Sequence, residues 1–507
     1  MRIGFQTLAE HYDLRLVQPL RVDSMISTSR SQRESHDRIE NRYPVGYMPA
    51  DNFAGHFSFG LKYEEIHLEF FARLFAATGP EPIAAWCRRE PFGQYARRTG
   101  FLYEWLTGQV LDVPDVTNGS YVDVLSPQHY LTRTDTKRNK RWRVNDNLPG
   151  SVNFCPLVRR TPAIAQALAF DLAGALQDLD NTFGADILMR TASWLTFKES
   201  RASFVIEKEA DQADRIQRFA HVIAQYCGQI DHPLSEKSLH LLQEGILGHD
   251  AIGLGLRRSP VFVGQATLRE DIVHYVAPQF EDIPALMQGL QQAEEATRGA
   301  ESLVRAAIIA FGFVYIHPMR DGNGRIHRFL INDVLLRDGA IPEGVILPVS
   351  ATITSSTRFR AGYDRTLEVF SRQLMRRYAT SWRFGAMHTY ADGTPSNFYF
   401  ADYTDAAFAW RYPDLTEHVL YTAGVIEHTV RTEMAEEARV LVLFQRAQER
   451  LKEVLEMPNT DANRIIRSVK ENGWAVSGKL KKAYPQLADQ ERAERIIEAI
   501  KSAFEEQ

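Results

Sequence analysis

A mainly α-helical protein of several domains, with a β-hairpin flap projecting from its helical core, is predicted by three features of the sequence. Apolar residues recur at helical spacing in AIAQALAFDLAGALQDL, ILMRTASWLTF, LHLLQEGIL and DIPALMQGLQQAEEA, the pattern that gives a helix one buried face. SLVRAAIIAFGFVYI is apolar nearly all round, which marks a helix buried on every side. Between these runs, GLGLRRSPVFVGQATLREDIVHYVAP is rich in Gly and β-branched residues and breaks the helical period as a hairpin does.

The order of segments follows from the same signals. Residues 1–155 mix short apolar runs with Pro, Gly and Asn turns, as in MPADNFAGHFSFG and NDNLPGSVNFCP, and read as an α+β region. Residues 156–235 read as a helical segment and 236–378 as the core that holds the all-apolar helix. Residues 379–507 begin with Tyr-rich, turn-rich sequence and end in amphipathic helices, a C-terminal helical extension. This division suits a chain of 507 residues, because single hydrophobic cores stop growing near roughly 250–300 residues.

An apolar fraction of 44% and a charged fraction of 24% are those of a chain that can bury a core. A formal charge of -5 gives no global attraction to nucleic acid or to an anionic membrane. TKRNKRWR (136–143) clusters basic residues around Trp142, yet a solvated loop accounts for it and no nucleic-acid partner is expected. Cys87, Cys155 and Cys227 are odd in number and far apart, which fits thiols in a reducing compartment. No apolar stretch reaches a spanning length and no leader is expected, so a cytoplasmic location is the simple reading.

The segment HPMRDGNGRIHR concentrates chemistry between two helical runs. Gly322 and Gly324 can take φ > 0 and bring backbone N–H groups close to an oxyanion, and a helix opening near Asn323 adds the positive end of its dipole. Arg325 and Arg328, at i and i+3, can hold separate phosphates. Asp321 is a hard oxygen ligand suited to Mg²⁺. His317, largely neutral at pH 7, can take the proton of an attacking hydroxyl. DG and NG alone would fit an ordinary turn, but a plain connector has no need of His, Asp and two Arg at fixed offsets.

The segment resembles the signature HxFx(D/E)GNGRxxR of the Fic family, which His317, Asp321, Gly322, Asn323, Gly324, Arg325 and Arg328 match. Met319 departs from it, standing where the family usually has Phe, a flexible apolar substitute at a position that anchors the loop. The resemblance implies transfer of AMP from ATP to a Ser, Thr or Tyr hydroxyl of a target protein. In that reading His317 is the base, Asp321 holds Mg²⁺, Asn323 and the loop amides bind the α-phosphate, and Arg325 and Arg328 bind the β and γ phosphates. An intact GNGR favours AMP transfer over the phosphorylating branch, whose loop resembles DANKR.

Upstream, Ser203 to Lys208 reads SFVIEK and resembles the family's inhibitory motif (S/T)xxxE(G/N), with Lys208 in place of the small residue. The resemblance implies an inhibitory helix in which Ser203 and Glu207 face Arg328 and deny it to the γ-phosphate; the same Glu could support removal of AMP. Residues 259–278 resemble the family's flap, which pairs with an extended stretch of target main chain. Tyr363 resembles an aromatic near the nucleoside site, and a core Tyr fits equally. Transfer of UMP, GMP or phosphocholine stays open, as does a regulator without turnover. The terminal regions are read as selecting the target or holding a homo-oligomer.

Overall fold

The computed structural model describes residues 1–35, 38–209, 211–249, 251, 253–266 and 271–505. Its N-terminal part begins with a four-stranded sheet in the order Arg2–Ile3, Val22–Ile26, Ile39–Tyr43, Ser31–Glu34, parallel only between the two central strands. Helices Phe53–Tyr63, Leu68–Thr78 and Gln94–Thr107 pack beside it. Phe5, Phe57, Phe70, Phe71 and Trp86 fill their shared core, with ring centroids 5.2–5.4 Å apart from Phe5 to Phe57, Phe70 and Phe71. Trp142 is buried there and its indole N–H donates to Glu104 at 2.8 Å, so the basic stretch around it carries no free stacking ring.

A second, larger core is built mostly from residues between Ile164 and Ala438, with Val17, Leu131, Phe154 and Val158 joining it. Its axis is helix Ser302–Ile316, in which Ile308, Ile309, Phe311 and Phe313 are at most 1% exposed; full burial of each is worth roughly 1.5–3 kcal/mol. The helix ends at His317, whose φ of 50° lies in the left-handed region. A short loop then leads into helix Asn323–Arg337, capped by Gly322 at φ 92°. Helix Ile283–Ala296 packs against the axis, and helix Thr357–Arg377 follows the motif with Tyr363 buried.

Two hairpins stand side by side on this core. Phe262–Ala266 pairs antiparallel with Asp271–Val276, the hairpin expected over 259–278; the tip of that expected segment lies outside the described residues. Trp382–Thr389 pairs with Pro395–Phe400, an element missing from the expected helical extension. Its turn carries Asp392 and Gly393, the latter at φ 74°, and Asp-Gly is a hairpin signal. Phe262 packs on Phe398 and Phe384 with centroids 4.7 and 5.5 Å apart. The chain ends in a separate helical cluster centred on Leu451, Ile465, Ile466, Ile496 and Ile500, with helices Asn459–Glu471 and Gln490–Glu505.

Candidate active site

The loop between the two motif helices brings the site together. Asn323 closes it: the Met319 N–H donates to Asn323 Oδ1 at 3.0 Å, and Asn323 Nδ2 donates to the Met319 carbonyl at 2.7 Å. The Asn323 carboxamide is thereby engaged by loop backbone, so its side chain shapes the loop. Met319 itself is fully buried, as a core anchor requires. Of the two motif glycines only Gly322 has a positive φ, which corrects the expectation for Gly324. Gly324 is helical, and a Cβ there would lie 2.1 Å from Glu207 Oε1, so a larger residue would have to displace that carboxylate.

His317 sits where the axial helix stops. Its Nδ1 lies 3.1 Å from the Val314 carbonyl, which assigns the proton to Nδ1 and leaves Nε2 as the acceptor. Burial, helped by the Arg257 guanidinium, pushes its pKa down to about 4, so the ring is neutral at pH 7. Asp321 is half-exposed; its Oδ1 accepts from the Gly322 N–H at 2.6 Å and from Arg325 Nη2 at 2.9 Å. Its Oδ2 makes no hydrogen bond or ion pair among the described residues.

Arg325 and Arg328 are both buried and both occupied. Arg328 donates from Nε to Ser203 Oγ at 2.8 Å, from Nη2 to the Ser203 carbonyl at 3.1 Å, and from Nη2 to Glu207 Oε1 at 2.7 Å. Tyr363 Oη lies 3.4 Å from Arg328 Nη1. Burial alone would raise the Glu207 carboxyl, but Arg328 reverses this and holds it below its ordinary value. Arg325 donates from Nη1 to Glu209 Oε2 at 2.9 Å and stacks 4.8 Å from the centroid of the Phe204 ring. Each guanidinium therefore meets a carboxylate from the same upstream segment.

One helix end delivers both. Helix Ile187–Ile206 is anchored by Glu199, which is buried and accepts from the Ser350 N–H at 2.6 Å and its hydroxyl at 2.5 Å. Past Glu207, Lys208 turns left-handed at φ 63°, its N–H donates to the Val205 carbonyl at 3.1 Å, and the Glu209 N–H donates to the Phe204 carbonyl at 2.9 Å. These are the two bonds of a Schellman cap, and they explain why a small residue suits position 208. The reversal turns Glu209 back towards Arg325.

Sequence reasoning reached Ser203, Glu207 and the loop residues, which the structure gathers. It missed Glu209, Gln243 and Arg257. Gln243 is fully buried, donates to the Asp321 carbonyl at 2.8 Å and accepts from the Gly255 N–H at 2.6 Å. A cavity of about 780 Å³ opens elsewhere, beside helix Thr357–Arg377, with Arg21, Glu64, Arg159 and Arg376 among its walls, and no residue from 317 to 328 lines it.

A helix start with open amides, two arginines that carboxylates hold in place, and a neutral imidazole lie together in a helical domain, a set of groups whose chemistry suits an anionic ligand. Residues 233–335 match the Fic/DOC family, and this part of the chain is a Fic/DOC domain. Protein adenylyltransferase fic-1 of Caenorhabditis briggsae is 32% identical over 142 residues, covering 27% of this chain and 24% of that protein. Protein adenylyltransferase Fic of Drosophila grimshawi is 35% identical over 116 residues, 22% of each chain. The chain thus spans about a quarter of the length of the curated relatives it matches. A Fic family protein from Desulfovibrio desulfuricans G20 superposes with a TM-score of 0.38 at 20% identity, over 64% of this chain and 94% of that one.

Proposed function

We propose that this protein is an adenylyltransferase that moves AMP from ATP to a Ser, Thr or Tyr hydroxyl of a target protein, and that the structure describes its resting state. The observation that carries the reading is the junction of a neutral His317, the Gly322-capped helix start and two guanidinium groups in one loop. His317 Nε2 takes the proton of the target hydroxyl, whose oxygen attacks the α-phosphorus. The bond from that phosphorus to the bridging oxygen breaks, and pyrophosphate leaves. Arg325 and Arg328 hold the β and γ phosphates, while the amides at Asn323 and Gly324 face the α-phosphate.

Asp321 fits Mg²⁺ carried by the nucleotide, because one carboxylate oxygen is free at the half-exposed mouth of the loop and Mg²⁺ is commonly held by one or two carboxylates plus substrate phosphates. The ion would offset phosphate charge. The hairpin Phe262–Ala266/Asp271–Val276 offers an edge to an extended segment of the target. Glu207 and Glu209 keep Arg328 and Arg325 from the β and γ phosphates, so they restrain transfer, and a cytoplasmic setting suits the buried thiols.

Lysate proteins incubated with ATP labelled on the α-phosphate test the reading. His317→Ala should lower incorporation by about 10²–10⁴-fold, the range of a lost general base, and leave nucleotide affinity within about twofold, since no phosphate contact is removed. Incorporation that persists in His317→Ala, or that uses the γ-label, contradicts it. Labelled UTP and GTP in parallel set the nucleotide preference.

A further inference from the structure

Arg257 is a buried cation for which the proposed reaction has so far no use. It lies just before the first hairpin, is 3% exposed, and meets no carboxylate within ion-pair distance among the described residues. Burial lowers its pKa to about 10, which still leaves it charged at neutral pH. Holding an unpaired charge inside a protein is unfavourable unless its donors are satisfied. Here carbonyl oxygens satisfy them, and the choice of carbonyls is informative.

Nε donates to the His317 carbonyl at 2.8 Å, Nη1 to the Ser259 carbonyl at 3.0 Å and Nη2 to the Pro278 carbonyl at 2.6 Å. The Arg257 N–H donates to the Pro318 carbonyl at 2.9 Å, and Leu256 bridges Met319 in antiparallel fashion. Ser259 and Pro278 are the two feet of the hairpin, and His317 is the corner that carries the imidazole. That corner has a left-handed φ of 50°, a conformation that costs a non-glycine residue energy and persists only when its surroundings hold it. The planar guanidinium fork holds three oxygens in one fixed plane, which the compact, rotatable donors of an ammonium group do not.

We propose that Arg257 is a positioning residue that locks the His317 corner to both feet of the hairpin, so that base and target segment keep one mutual geometry. The proposal rests on the adenylyltransferase reading of this site. The second hairpin braces the same point: Asp392 Oδ2 accepts from the Arg258 N–H at 2.9 Å and from Ser259 Oγ at 2.8 Å. Asp392 touches only the foot of the hairpin, whereas Arg257 touches foot and corner. Loss of Arg257 therefore disturbs the base and the target surface together; loss of Asp392 disturbs the target surface alone.

The experiment uses the full chain with Glu207→Gly as background and three readouts: affinity for a non-hydrolysable ATP analogue, cleavage of ATP to AMP and pyrophosphate with water as acceptor, and AMP incorporation into lysate proteins. Arg257→Ala should lower both cleavage and incorporation by about tenfold or more, as sub-ångström to ångström misplacement of a reacting group does, with analogue affinity within about twofold. Guanidinium ion added at low millimolar concentration should restore part of both rates. Asp392→Ala should lower incorporation more than cleavage.

Arg257→Ala rates within about twofold of the background overturn the proposal, and so does a loss of rate accompanied by an equal loss of analogue affinity. Should Arg257→Ala not fold, Arg257→Lys serves, because it keeps the charge but not the fork; rates equal to the background then overturn it. A background protein that neither binds the analogue nor labels any protein sinks the adenylyltransferase reading instead, an outcome distinct from these.

Discussion

Helix Asn323–Arg337 ends in an arginine–carboxylate network at both termini, and the two networks are built differently. At its C-terminal end, Arg305 and Arg337 pair with Glu294 of the neighbouring helix Ile283–Ala296 and with Asp333 and Asp338 of its own last turn and cap, whose side chains are 8%, 0% and 12% exposed. At its N-terminal end, Arg325 and Arg328 are equally buried, but Glu209 and Glu207 come from one upstream turn and remain 32% and 33% exposed. The first network lies mostly out of solvent. The second pairs its cations with carboxylates that reach solvent, which is what the proposed exchange for an incoming polyphosphate requires. Where the carboxylate can leave, an ion pair can act as a switch; where it cannot, it fastens helices together.

The largest effect should come from breaking the fastened end. Arg305→Leu strips Glu294 and Asp338 of a fully buried partner and should cost about 3–5 kcal/mol in denaturant unfolding; a loss below about 1 kcal/mol would mean that solvent reaches this network after all. At the exchangeable end, Glu207→Gly should raise AMP incorporation by about tenfold, the worth of one charge-assisted hydrogen bond, with a smaller loss of stability than Arg305→Leu because Ser203 keeps two of the Arg328 hydrogen bonds. Unchanged incorporation would remove Glu207 from control of the site. The smallest effect sharpens the contrast: Lys208→Gly relieves a left-handed backbone and should stabilise the protein by about 0.5–1 kcal/mol, tightening the resting turn without touching either guanidinium. A destabilised Lys208→Gly protein would contradict the cap described here.

Much of the exchangeable end was legible in the sequence because its parts are contiguous: base, loop, helix start and both arginines fall between His317 and Arg328. Glu207 was reached by likeness to a short motif. Glu209 was not, since its role depends on a backbone reversal at Lys208 that a Lys does not advertise. Gln243 and Arg257 act on carbonyls of residues far along the chain, and main-chain acceptors leave no mark on side-chain patterns. The second hairpin did leave one, the Asp392–Gly393 turn between aromatic alternations, but turn-rich sequence before helical sequence obscured it. What a side chain at Gly324 would meet was not legible, because the Glu207 carboxylate beside it lies on another segment.

Calorimetry with a non-hydrolysable ATP analogue and with AMP tests the central claim most directly, using the wild-type chain and the Glu207→Gly/Glu209→Gln double variant. If the two carboxylates stand where the β and γ phosphates go, the double variant should bind the analogue at least about tenfold more tightly, and its affinity for AMP, which lacks those phosphates, should stay the same. Equal analogue affinity in the two proteins, or an equal gain for AMP, would contradict it.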